Sequence, residues 1–137
     1  QHQEQRFIWR LHPLLSFEKL KKNNSIFKKL PDNIYLSENN LDEDIKKSDS
    51  VLYRGSTAVV NAINAGLKPI YYQQSTDELS IDPIYQQQRG KDIVFNQKDL
   101  RLALNKDIDK EVKQSLQNFA QDFYTPLEVQ ALKQALL

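Results

Sequence analysis

The stretch from Ser50 to Tyr72 constrains the fold more than any other part of the chain. Ser50-Val51-Leu52-Tyr53 is apolar on both faces, as a strand buried in a parallel sheet is. Arg54-Gly55-Ser56-Thr57 interrupts it with turn residues, after which Ala58, Val59, Ala62, Ile63 and Ala65 recur at helical spacing. Gly66 stands where a helix ends in a left-handed residue, and Leu67-Lys68-Pro69 leads into a second strand, Ile70-Tyr71-Tyr72. Strand, turn, helix, cap and strand in so short a span make a compact βαβ unit.

The remaining sequence repeats the alternation. Arg6 to Leu11 reads as a strand running to His12, where Pro13 stops it. A short helix or turn is expected over 14–23, and a strand over 33–37. A capped helix with acids in its first turn is expected over 39–45. Beyond the βαβ unit, Asp92-Ile93-Val94-Phe95 reads as a short strand, Lys98 to Leu104 as a helix, and Asp109 to Phe123 as an amphipathic helix. A last helix follows Pro126. Strands alternating with helices predict an α/β chain with one mostly parallel sheet covered on both faces, a Rossmann-like αβα sandwich. Residues 1–5 carry no core signal and read as disordered or as a linker remnant, and 6–137 as a single domain.

Composition removes several function classes. Lys plus Arg number 19 against 18 Asp plus Glu, a net charge of +1, so the chain offers no broad basic surface for nucleic acid. No apolar run is long enough for a membrane helix. The absence of cysteine excludes disulfides and thiolate zinc sites. The two histidines, His2 and His12, lie in different contexts, so no metal constellation is expected. The chain has no methionine, which suits a protein processed or excised from a longer one. No Gly-x-Gly-x-x-Gly follows any expected strand, which disfavours a dehydrogenase-type dinucleotide fold.

Ligands of open α/β sheets bind beyond the carboxyl ends of the strands. Arg10 and His12 end the first expected strand, and Arg54, Gly55, Ser56 and Thr57 end the third. Placed on one rim, these residues would offer positive charge and hydrogen-bond donors to a phosphate. The same residues also suit plainer roles: Ser56 or Thr57 as a helix N-cap, Gly55 as a turn residue, His12 as a structural hydrogen-bonder.

Two strings together resemble a known group. Ser48-Asp49-Ser50-Val51-Leu52-Tyr53-Arg54-Gly55-Ser56-Thr57, followed by Ala65-Gly66 and Pro69-Ile70, is similar to the donor-binding half of GT-B glycosyltransferases. Trp9-Arg10-Leu11-His12-Pro13 resembles the His-Pro element of bacterial surface-polysaccharide transferases such as sialyltransferases. That group pairs an upstream His-Pro with a downstream Ser/Thr pair on the phosphate of a cytidine nucleotide donor. The resemblance spans residues 6–105. It implies a GT-B C-terminal half that binds a CMP- or CDP-linked sugar without a tightly bound metal or other cofactor.

Carried over by position, the resemblance implies that His12 donates to the donor phosphate as the leaving group gains charge. Arg10, Arg54, Gly55, Ser56 and Thr57 would hold that phosphate. Asn61 occupies the place where many members put an acid on the donor ribose, and here it is an amide. Gln74, Asp77 and Glu78 follow the strand near which the family contacts the sugar, and also suit a solvated loop. The acceptor and the general base would come from a missing N-terminal domain or a partner chain, so the 137 residues alone would transfer nothing. The location implied is cytoplasmic, peripheral at the inner membrane through a longer protein. Two other readings stay open: a non-catalytic nucleotide-binding or protein-interaction module, and a small subunit of a split glycosyltransferase.

Overall fold

The computed structural model describes residues 5–76, 78–124 and 129–136. The chain divides into two compact units, 1–47 and 48–137.

In the first unit, β1 (Phe7–Trp9) is followed by α1 (Phe17–Asn23), a 3-10 turn (Ser25–Lys28), β2 (Ile34–Leu36) and α2 (Leu41–Lys46). β1 and β2 pair in parallel, with Phe7 opposite Ile34 and Trp9 opposite Leu36. Parallel neighbours need a crossover, which α1 and the 3-10 turn supply. The Trp9 ring meets the edge of Phe17 at 5.9 Å and lies 5.5 Å from Phe27, tying strand to crossover. Asn40 caps α2 by accepting from the Glu43 amide at 2.9 Å. Among the described residues of this unit only Asp44 and Ile45 are buried. β1 stops short of the His12 end expected from the sequence. Its partner ends at Leu36, the last rung is Ser37 N–H to the Trp9 carbonyl, and the chain then turns through Pro13 as Leu15 N–H donates to the His12 carbonyl.

The second unit contains β3 (Ser50–Tyr53), α3 (Ala58–Asn64), β4 (Lys68–Tyr72), β5 (Asp92–Val94), α4 (Gln97–Leu104), α5 (Lys110–Phe123) and α6 (Val129–Leu136). Its sheet has the order β3-β4-β5, all parallel, with Leu52 opposite Ile70 and Tyr72 opposite Val94. Successive strand residues point to opposite faces. Tyr71 accordingly joins Tyr53, Val59, Ile63 and Leu116 in a core beneath α3 and α5. Ile70 packs on the other face with Val94 and Ala103 of α4. Each fully buried aliphatic side chain of this kind contributes about 1.5–3 kcal/mol.

α3 ends as the sequence implies. Gly66 has φ +91°, Leu67 N–H reaches the Ala62 carbonyl and Gly66 N–H the Ile63 carbonyl, a Schellman closure. Pro69, expected before the strand, lies inside β4. Lys68 N–H donates toward β3, to the Asp49 carbonyl, so the missing amide of Pro69 falls on the β5 side, where the ladder begins only at Ile70. The Lys68 ammonium is buried at the carboxyl end of α4, donating to the Ala103 and Lys106 carbonyls and pairing with Asp92 at 2.8 Å.

The chain is therefore α/β with short parallel sheets. The strands form two sheets, one in each unit, where the sequence suggested one. Periodicity marks strands but does not say which strands pair. No helix among the described residues is long and apolar enough to cross a membrane.

Candidate functional site

In the second unit the chain leaves buried Tyr53 and turns through Arg54 and Gly55 into α3. Gly55 holds φ +71°, a left-handed conformation that costs other residues about 1–2 kcal/mol. The Ser56 hydroxyl accepts from the Ala58 amide at 3.3 Å. Thr57 occupies the N-cap position with its hydroxyl outside any capping bond. Both side chains are exposed, at the carboxyl end of β3. Asn61 is exposed on the same helical face, one turn after Thr57.

The polar segment after β4 folds back on this turn. The Arg54 guanidinium pairs with one Glu78 carboxylate oxygen, and the other accepts from the backbone N–H of Gln74 at 2.9 Å. Gln73 closes the loop by donating to the Ser75 carbonyl at 2.9 Å. Gln74 and Glu78 are thus brought to Arg54, while Asp77 lies outside the described residues.

Beneath the turn is a polar network that sequence reasoning missed. The Tyr53 hydroxyl donates to Asp82 at 2.9 Å, Asp82 pairs with Lys91, and the Ile84 amide donates to Asp82 at 3.0 Å. The Asp82 and Lys91 side chains are each 2% exposed. Burial, followed by the hydrogen bond to Asp82 and that carboxylate's charge, pushes the Tyr53 phenol far above its usual value. The Tyr71 hydroxyl accepts from the Ile81 amide, so the segment after Leu79 is pinned at both Ile81 and Asp82. Asp82-Pro83 carried a local signal, since Asp before Pro initiates turns. Lys91 carried none.

In the first unit a cleft of about 260 Å³ opens at the carboxyl ends of β1 and β2, with Arg10, His12, Leu15, Leu36 and Ser37 among its walls. Arg10 Nη1 donates to Asp44 Oδ2 at 2.6 Å and to the Asn39 carbonyl at 2.7 Å. Ser37 donates its hydroxyl to the same carboxylate, and Asn39 Nδ2 reaches its other oxygen at 3.2 Å. Burial alone would raise the Asp44 pKa. The hydrogen bonds from Ser37, Arg10 and Asn39, with the Arg10 charge, outweigh it and hold the carboxyl below the usual range. His12 Nδ1 accepts from the Leu14 amide at 3.2 Å, which leaves Nε2 as the second ring position.

The residues singled out in the sequence therefore divide between the units. Arg10 and His12 share the cleft of the first. Arg54, Gly55, Ser56, Thr57, Asn61, Gln74 and Glu78 belong to the second. Both arginines spend charge on a carboxylate, a long-range pairing that no local pattern reveals. Among the described residues no group of three or more His, Cys, Asp or Glu stands close enough to hold a metal ion. No family model, curated protein or solved structure matches the chain.

Proposed function

We propose that this chain is the donor-binding part of a glycosyltransferase that uses a nucleotide-linked sugar, with a CMP- or CDP-linked donor favoured by the order of the His12-Pro13 and Ser56-Thr57 strings in the sequence. One observation carries the reading. The glycine turn closes a parallel βαβ unit at the carboxyl end of β3 and leaves the Ser56 and Thr57 side chains exposed there. A diphosphate needs such hydroxyl and amide donors, and Gly55 supplies the left-handed turn on which they are presented. The reading takes the fold as a Rossmann-like, GT-B type C-terminal half, an analogy supported by the parallel strands and the turn.

In this reading Ser56, Thr57 and the turn amides hold the donor phosphate, and Arg54 joins them when released from Glu78. The acceptor and the general base belong to a second domain or chain, and the protein acts at the cytoplasmic side of surface-polysaccharide synthesis. Titrating the chain with CMP, CDP, UDP and inorganic phosphate ranks the donors. Sugar transfer by these residues alone would contradict the assignment of the base to another domain.

A second reading is favoured by the engagement of both arginines: a binding module that keeps the fold without the transfer activity. Saturable nucleotide binding separates the donor reading from a pure interaction module.

A further inference from the structure

We propose that the crossover joining β1 to β2 docks this protein on an anionic lipid surface, with lysines facing the headgroups and Ile26 entering the layer beneath them. The net charge of +1 hides a strong local imbalance. From Leu14 to Leu30 the chain carries Lys19, Lys21, Lys22, Lys28 and Lys29 against the single acid Glu18. Lys21 pairs with that acid at 2.6 Å along α1 and lies over the Phe17 ring. The other four lysines are exposed, and none pairs with a carboxylate among the described residues.

The packing of the crossover turns these groups outward. Phe17 and Phe27 both lie against Trp9, which fixes the inner side of α1 and of the 3-10 turn. Lys19 and Lys22, three residues apart, share the opposite, exposed side of α1. A 3-10 helix has three residues per turn, so with Phe27 directed inward its neighbours Ile26 and Lys28 stand outward. Ile26 is 70% exposed, and Leu14, in the turn that leads into α1, is 89% exposed.

This mixture of side chains selects the partner. Lysines are drawn to the negative potential of an anionic bilayer, and bare aliphatic side chains gain by entering its headgroup boundary. Single-stranded nucleic acid would instead reward exposed aromatic rings on which bases stack. Here the aromatic rings of the crossover are spent on Trp9, and what stands between the lysines is aliphatic. The inference rests on the first unit's own residues and does not require the Gly55 turn to bind a donor.

The test is co-sedimentation of the whole chain with vesicles of phosphatidylcholine mixed with phosphatidylserine, and with vesicles of phosphatidylcholine alone. Binding to the mixed vesicles is expected in about 0.1 M salt and is lost in about 1 M, where the Debye length falls from about 10 to about 3 Å. Lys28→Gln combined with Lys29→Gln is expected to weaken it about 25-fold, at about fivefold per lysine. Lys98→Gln combined with Lys110→Gln removes the same charge from exposed positions of the second unit and should leave it unchanged. Ile26→Ser keeps every charge and is expected to weaken binding severalfold. No binding to the mixed vesicles, equal binding to phosphatidylcholine alone, or equal loss in the two lysine pairs overturns the proposal. Displacement from the mixed vesicles by single-stranded RNA would assign the lysines to nucleic acid and also overturn it. Vesicle binding retained in Ser56→Ala while nucleotide binding is lost would separate this surface from the donor reading.

Discussion

Gly55 and Ile81 meet so closely that a β-carbon on the glycine would stand 2.9 Å from Ile81 Cδ1. The candidate turn is thus fixed from two sides, by its own left-handed backbone and by the segment packed behind it. The isoleucine is half exposed and its terminal methyl can swing away, so backbone conformation dominates the cost of a side chain here. Gly55→Ala is expected to destabilise the chain by about 1–2 kcal/mol in urea denaturation. An unchanged midpoint would show that the turn tolerates a side chain.

Asp82 and Lys91 form the most buried ion pair in the second unit's described residues, with the Tyr53 hydroxyl as a third member. Lys91→Met leaves the carboxylate buried without its cation and is expected to cost about 3–5 kcal/mol. When Asp82→Asn is combined with Lys91→Met, the introduced amide oxygen still accepts from Tyr53 and Ile84. Less stability should then be lost than in Lys91→Met alone. Equal losses in the single and double variants would mean that charge pairing does not govern this network. Tyr53→Phe removes one buried hydrogen bond, for an expected loss of about 1 kcal/mol.

The Arg10–Asp44 pair sets an acid limit for the first unit. Because the folded Asp44 carboxyl titrates below its unfolded value, its contribution is fully present above the unfolded pKa, about 3.9 for aspartate. It is lost as pH falls from there through the depressed folded value. Asp44→Asn should remove that part of the acid dependence and cost about 1–3 kcal/mol at neutral pH, measured by denaturation across pH. An acid profile identical to wild type would rule out Asp44 as a source of it.

How much of this was legible in the sequence follows from the range of the forces involved. The βαβ unit was readable because its signals are local. Alternating apolar residues, the cap at Gly66 and the turn at Gly55 each act within a few positions, and the observed α3 and α5 fall within a residue or two of expectation. The 3-10 turn at Ser25–Lys28 has no such signature. Pairings such as Arg10 with Asp44, Arg54 with Glu78 and Lys91 with Asp82 link residues whose proximity depends on the fold, and no local pattern announces them. The division of the strands into two sheets was hidden for the same reason.

Glu78 holds Arg54 against the loop that follows β4. Both side chains are partly exposed, so Glu78→Gln should change stability by no more than about 1 kcal/mol. In the donor reading it frees the guanidinium for phosphate, and affinity for CDP should rise severalfold while Arg54→Ala lowers it. Identical affinities in the two variants would remove Arg54 from the binding site.

The most direct measurement is a calorimetric titration of the whole chain with CMP and CDP, alongside Ser56→Ala and Thr57→Val. The donor-binding account predicts saturable binding of at least one nucleotide, weakened about tenfold in Ser56→Ala by loss of a hydrogen bond to charged phosphate, with the fold unchanged by circular dichroism. No saturable binding of either nucleotide, or binding equally tight in both variants, would contradict it.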